Sequence, residues 1–305
     1  VAVETPEDTA PRSISIAPTW SVRLASYLWN IRRFARRNPL GAFGGVVVGL
    51  LIFTALFAPL MAPADPFTHN PSESFSPPSW KHLAGTDVFG RDQLSRIIYG
   101  SRISLLVGFG SVVIGTTVGL LIGISSAYFG GKYDLMVQRL VDTLMGFPGL
   151  VLVLVMVVAL GPSMMNVTLA IAANYFDKVI RLARASALSV KEEPYILAAI
   201  AVGVRPWQII LRHVTPNSLA PIFVLATQQL GSAIVIEASL SFLGLGVQPP
   251  NPSWGNMLQS AAKESMELAP WLAIFPGVAL AVVTFSFAVF GDGLRDALDP
   301  RLQGT

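Results

Sequence analysis

The 305 residues contain no cysteine and only three histidines. Without a thiol there is no disulfide, no thiolate metal site and no catalytic cysteine. His69, His82 and His213 are scattered, and neither an HExxH helix nor an EF-hand loop accompanies them, so no metal site is expected. The phosphate-loop pattern GxxxxGK[ST] is missing too, and ATP is not expected to bind this chain by that route. These absences leave the chain itself without an expected cofactor and make an enzyme the less favoured class of function.

Charge is scarce as well. Asp, Glu, Lys and Arg supply 13% of the residues against 52% hydrophobic ones, and the mean hydropathy is +0.59. An average soluble domain carries about twice that charge. What stands in its place is five charge-free stretches, residues 40–64, 103–131, 143–176, 214–236 and 268–291. A helix that crosses a bilayer needs about 20 apolar residues, so each stretch is long enough, and together they argue against a large soluble core. The third has 34 residues and contains Gly161-Pro162-Ser163, a turn signal. Divided there, it supplies one helix over 140–160 and another over 164–185. The expected fold is an all-α membrane protein with six transmembrane helices.

Orientation follows from the basic residues. With the N-terminus inside, the inner segments 1–40, 128–139, 175–213 and 292–305 hold 6, 2, 6 and 2 of them, and the outer segments 62–102 and 245–270 hold 4 and 1. That excess selects N-in, C-in. Residues 1–39 are then a cytoplasmic tail with a basic anchor, and 40–291 a transmembrane domain with an outer loop at 64–102 and a cytoplasmic loop at 186–213. Residues 292–305 form a second cytoplasmic tail. The opening VAVETPEDTAPRSISIAP has three prolines, no apolar period and no apolar core of a signal peptide, so a disordered tail is expected. Arg32, Arg33, Arg36 and Arg37 stand directly before an apolar span, which points to the headgroups of the lipid bilayer and not to nucleic acid.

Inside the apolar stretches a few residues stand out. Gly115, Gly119 and Gly123 recur every four residues and share one helix face, which lets another backbone approach closely. That face fits either a partner subunit or another helix of the same chain. Glu237 lies within or at the outer end of the fifth span, where an ionised side chain is costly and marks a functional site by default. With Ser239 and Ser241 it is a candidate for the translocation path. The alternative places it at the headgroups or beside a basic group of a neighbouring helix. In the outer segment, residues 88–99 mix apolar and charged side chains as a short amphipathic surface helix would. Such a helix either caps the bundle or receives an external protein.

The long inner loop carries the segment AAIAVGVRPWQIILRHVTPN, residues 198–217. A helix is expected after Pro194, ended or turned at Gly203, and Pro206 is placed to open a second short helix, since proline is tolerated in a first turn. Small side chains along the first helix leave room for a partner to come close. A helix lying flat in the interface would need larger apolar anchors.

The spacing of Ala198-Ala199, Gly203 and Pro216 resembles the EAA loop of ABC importer permeases, a cytoplasmic helix that fits a groove on an ATPase subunit. Leu197 stands where the name-giving glutamate would be, a departure common in the peptide and nickel branch of that family. The branch's own version is matched by Glu193, Tyr195, Ala198, Ala199, Ala201, Gly203, Ile209, Arg212, His213, Pro216 and Asn217, with Thr215 in place of a leucine. Residues 82–108, 127–134, 237–255 and 291–301 also look like signatures of the C-type permease of dipeptide, oligopeptide and nickel importers. Residues 174–188 are looser than the family pattern W..YAR..R, with Phe176 to Lys178 departing from it.

The resemblance implies a type I ABC importer permease fold in a chain that does no covalent chemistry. Such a chain would pair with a homologous B-type permease to form a path for peptides or a related small solute. An extracytoplasmic substrate-binding protein would deliver cargo, and two ABC ATPase subunits, carrying ATP and Mg, would dock below. Glu193, Tyr195, Ala198, Ala199, Gly203, Arg212, His213, Pro216 and Asn217 would be the ATPase-coupling residues. ATP binding would move the docked loops and rock the helix bundles from inward-facing to outward-facing. The implied location is a bacterial or archaeal plasma (inner) membrane. The rival reading is an ion-driven secondary transporter or channel that uses Glu237 and needs no ATPase.

Overall fold

A computed structural model of the chain describes residues 32–264 and 267–298. Val1–Pro39 and Leu40–Thr305 are separate units. Of the first, residues 32–37 form a short helix that carries the four arginines of the anchor. Of the tail expected over 1–39, residues 1–31 lie outside the described residues, as do the last residues from 299 onward.

The second unit is built of helices: α1 (Pro39–Leu56), α2 (Gln93–Phe129), α3 (Gly131–Met145), α4 (Gly149–Leu160), α5 (Met164–Ala173), α6 (Phe176–Lys191) and α7 (Pro194–Ala201). Then come α8 (Pro206–Phe242), α9 (Trp254–Glu264) and α10 (Trp271–Leu298). Among the described residues there is no strand, only an isolated bridge between Thr86 and Asp92. By length and apolar composition α1, α2, α8 and α10 qualify as membrane spans, and α3 with α4 is a fifth candidate if the pair, bent by 93°, counts as one. At 37 residues each, α2 and α8 are roughly 55 Å long, well beyond a hydrocarbon core of about 30 Å. Their ends therefore belong to the polar layers.

The expected helix boundaries need correction at five places. The helix over 140–160 is not continuous: α3 stops at Met145, and Gly146, Phe147 and Pro148 turn the chain into α4. Pro148 has no N–H to donate and pushes the residue before it out of the helical region. The helix over 164–185 is broken at Asn174 and Tyr175, where the buried Tyr175 side chain donates its OH to the Gln229 carbonyl at 3.2 Å. The surface helix over 88–99 does not exist separately. Residues up to Asp92 are loop, and α2 starts at Gln93 because the Asp92 carboxylate accepts the Ser95 N–H at 2.8 Å and caps it. Finally, the helix opened by Pro206 is not short but runs on to Phe242, through a π-turn at Ile210–Val214, and α10 extends to Leu298.

The glycine face of α2 packs within the chain. A Cβ on Gly115 would stand 2.8 Å from the Ala172 carbonyl oxygen, one on Gly119 2.7 Å from Val179, and one on Gly123 2.5 Å from the Ile180 carbonyl oxygen. With lipid on the outside, apolar side chains gain little by leaving it, and close backbone approach is what holds helices together. Gly110 meets Thr168 in the same way. The contacts advance together along both partners, so α2 and α5–α6 run in the same direction.

The two ends of α2 gather different elements. At its start, Trp254 Nε1 donates to the Ile97 carbonyl at 3.0 Å, Gln93 Nε2 to Leu272 O at 3.2 Å, and Arg102 Nε to Ala55 O at 2.6 Å. At its far end, Lys191 Nζ donates to Tyr128 O at 2.9 Å. The loop before α2 is tied by charge. His82 lies 2.9 Å from Asp92 and 3.2 Å from Glu73, Lys81 also pairs with Glu73, and Arg91 donates to Asp87 at 2.7 Å. Lys81 first, then His82, holds the Glu73 carboxyl below the usual carboxylate range.

Candidate functional site

The segment from Lys191 to Asn217 is a small platform built on the C-terminal end of α2. Pro194 opens α7 in its first turn, where its missing N–H costs nothing. The Glu193 carbonyl, in extended conformation, accepts the Ile196 and Leu197 N–H groups at 3.0 and 3.2 Å. α7 ends at Ala201. Gly203 then takes φ +79°, a left-handed conformation open to glycine, and Val204 N donates to the Ala199 carbonyl at 3.0 Å to close the turn.

One face of the platform is anchored. Ile196 and Ile209 are fully buried and pack with Ile124, Ala127, Ala183 and Ala187 of α2 and α6, and with Val214 and Ile222 of α8. The other face is apolar and open. Leu197 is 56%, Val202 79% and Trp207 53% exposed, with Ala198 and Ala201 between them also exposed. Nothing lies within 4 Å of where a Cβ on Gly203 would project. Small residues with free space above them, ringed by larger apolar ones, make a seat for another surface.

Several of the expected coupling residues meet behind that face. Asn217 Nδ2 donates to the His213 carbonyl at 2.7 Å and to the Tyr195 hydroxyl at 3.2 Å, and the Tyr195 and His213 rings lie 6.2 Å apart. The reason is local. Pro216 offers no N–H to the turn below it, the helix widens to a π-turn at Ile210–Val214, and the Asn217 amide serves a carbonyl there while tying α7 to α8. Arg212 and Glu193 are exposed and do not join this cluster.

Glu237, Ser239 and Ser241 do not form one surface. Glu237 is fully buried; Ser241 Oγ, one turn on, donates to its carboxyl at 2.7 Å, and Ser104 Oγ of α2 approaches at 3.4 Å. Val247 N in turn donates to Ser241 Oγ at 3.3 Å, and a side chain on Gly246 would overlap that hydroxyl. The carboxyl is thus enclosed by hydroxyls, and its hydrogen-bond partners include no basic residue among the described residues. Ser239 points elsewhere and donates to the Val235 carbonyl at 2.8 Å. Residues two apart on a helix lie on different faces.

Sequence reasoning missed Ser104, which lies inside the signature-like stretch 82–108, and it missed a second charged arrangement. Arg184 of α6 grips Asp134 of α3 with two bonds of 2.7 and 2.6 Å, and Arg181 bonds Asp142 at 2.6 Å. A signal was present. Asp134 ends the signature-like stretch 127–134, and Arg181 and Arg184 keep the three-residue spacing of the two arginines in the family pattern W..YAR..R.

Residues 115–304 match the family described as binding-protein-dependent transport system inner membrane component, and residues 26–78 match the N-terminal TM domain of oligopeptide transport permease C. The chain is 43% identical over 268 residues to a dipeptide transport system permease protein of Alkalihalophilus pseudofirmus, covering 88% of each chain. It is 41% identical over 270 residues to a di/tripeptide transport system permease protein of Pseudomonas aeruginosa, covering 86% of this chain and 89% of that one. A glutathione transport system permease protein of Escherichia coli is 40% identical over 274 residues, 90% of each chain. With an all-helical fold, several apolar spans and these matches along its length, the chain belongs to the inner-membrane components of binding-protein-dependent transport systems and is a permease subunit of an ABC importer.

Proposed function

We propose that the segment from Lys191 to Asn217 is where this permease receives an ATPase subunit, and that its cargo is a di- or oligopeptide. The observation that carries the docking reading is the open apolar face of α7, with Leu197, Val202 and Trp207 exposed around the free space at Gly203, on a base anchored by Ile196 and Ile209. A subunit without a phosphate loop has to receive the work of ATP through contact. Glu193 and Arg212 flank the seat as its charged rim, and Tyr195, His213, Pro216 and Asn217 hold its shape. Two ATPase subunits with ATP and Mg, a homologous B-type permease and an extracytoplasmic binding protein complete the machine. Family membership sets aside the ion-driven alternative. The peptide cargo rests on the relatives' names, and the setting is a bacterial or archaeal plasma membrane.

Six crossings with both termini inside suit this reading. α2 and α5–α6 run the same way, so the chain has to return between them, and α4 with the turn at 161–163 is the segment available. With 12 residues α4 is about 18 Å long, so its crossing also uses the flanking turns, which need protein around them. The ends sort accordingly: α1, α9 and α10 meet the start of α2 outside, while α3, α6 and α7 meet its end inside. Of the residues expected on the path, Ser239 keeps part of its surface, and Glu237 and Ser241 would reach it only if α2 and α8 part.

Gly203→Trp tests the docking seat in the assembled transporter. Membrane insertion should persist while substrate-stimulated ATP turnover is abolished, because the indole fills the space the partner needs. Assembly and turnover that both survive would show that the ATPase binds elsewhere.

A further inference from the structure

The helix α3 is weakly held by apolar contact. Val141 is its one fully buried side chain, whereas Leu135, Met136 and Leu140 are largely exposed. Charged contacts add to this, one pair partly buried and the other half exposed. Arg184 holds the Asp134 carboxylate with both Nε and Nη2, Ser126 of α2 donates to the same carboxylate, and Arg181 reaches Asp142. Asp134 and Asp142 are eight residues apart, roughly 12 Å along α3, while Arg181 and Arg184 are three apart, roughly 4.5 Å along α6. Two arms that spread from one turn of α6 to two separate turns of α3 fix its direction as well as its position. A bidentate guanidinium adds the geometric part of that constraint.

The elements on either side give the arrangement a use. α6 leads straight into the docking segment, and its Ala183 and Ala187 pack against Ile196 of α7. On the other side, α3 passes through Gly146, Phe147 and Pro148 into α4 at 93°. α4 is itself scarcely held by its own chain: only Val153 and Val157 are buried, and Leu150, Val151, Val155 and Val158 are exposed. A stiff arm thus joins the docking platform to a loosely packed helix through one bend.

We propose that the Asp134–Arg184 and Asp142–Arg181 pairs are positioning contacts that lock α3 to the stem of the docking segment, so that motion of the docked loop is handed across the bend at 146–148 to α4. This rests on the docking reading above. The pairs touch no cargo. Their part is to make α3, α6 and α7 move as one body, with the bend as the hinge where the helix ladder is already interrupted.

The test uses the complete transporter in vesicles, with cargo uptake and ATP hydrolysis measured on the same preparation and ATPase subunits counted by co-purification. Asp134→Asn and Asp142→Asn should leave ATPase subunits bound and lower the uptake per ATP hydrolysed, roughly 2- to 30-fold for a contact of this kind. The charge swap Asp134→Arg with Arg184→Asp should recover most of that ratio, and Lys178→Gln, exposed on α6, should not change it. A purely structural role would lower the yield of assembled complex and leave the ratio alone. An unchanged ratio in both Asn variants, or a swap that assembles fully but does not recover the ratio, overturns the proposal. Should Gly203→Trp also leave docking and turnover intact, the docking reading itself has failed and the link falls with it. If Gly203→Trp abolishes turnover while both Asn variants keep the wild-type ratio, only the link has failed.

Discussion

Two stretches of this permease are equally distinctive in sequence and opposite in structure. Residues 237–255 close on themselves: Ser241 donates to Glu237 and accepts from Val247, Gly246 packs against the Ser241 hydroxyl, Ser104 joins from α2, and Trp254 donates to the Ile97 carbonyl of α2. Residues 193–217 satisfy only their base and leave Leu197, Val202 and Trp207 to solvent. A dense motif therefore marks either a cluster complete within the chain or a face the chain leaves open. Burial and hydrogen-bond partners tell them apart, because an enclosed carboxyl has to be partnered and an exposed apolar strip has something to gain from a cover.

The comparison breaks most severely where the closed parts of the fold are forced open. Gly119→Val puts methyl groups against Val179, which already lies 2.7 Å from a Cβ at that site. Overpacking of this kind costs about 1–3 kcal/mol and more when backbone has to move. Thermal unfolding of the purified chain in detergent should show a large loss of stability. Unchanged unfolding would mean that α2 and α6 part readily, and that the glycine face serves another subunit.

Next in size is the closed cluster itself. Glu237→Ala leaves the Ser104 and Ser241 hydroxyls without their acceptor, a loss of about 1–3 kcal/mol for buried polar groups. Glu237→Gln keeps an acceptor and should lose less. Both variants should lower the unfolding temperature in that order while ATPase subunits stay bound. Full stability combined with lost uptake would turn Glu237 from a fastener into a residue of the path.

How much of this was legible in the sequence depends on the range of the interactions. The charge-free stretches locate the long apolar helices because lipid tolerates little else in a span, and Pro194, Gly203 and Pro206 mark helix starts and a turn in the 191–217 segment because their effects are local. The bend at 146–148 was readable from Pro148 but hidden within an apolar run of 34 residues. The break at Asn174 and Tyr175 carries no glycine or proline; its visible partner is Gln229, 54 residues away. The same distance hides the two clusters that matter most. Ser104 and Glu237 are 133 residues apart, and Asp134 and Arg184 are 50. No periodicity connects such pairs, so only the fold brings them together.

The absence of cysteine allows the docking claim to be read directly. Val202→Cys would be the sole thiol among the 305 residues, on the open apolar face, where the residue is 79% exposed. In the assembled transporter, a short thiol-to-amine crosslinker should join this position to an ATPase subunit, whereas Trp80→Cys, on the loop before α2, should give no such adduct. An ATPase adduct from Trp80→Cys, or none from Val202→Cys in a complex that still hydrolyses ATP, would contradict the assignment of the 191–217 segment as the docking site.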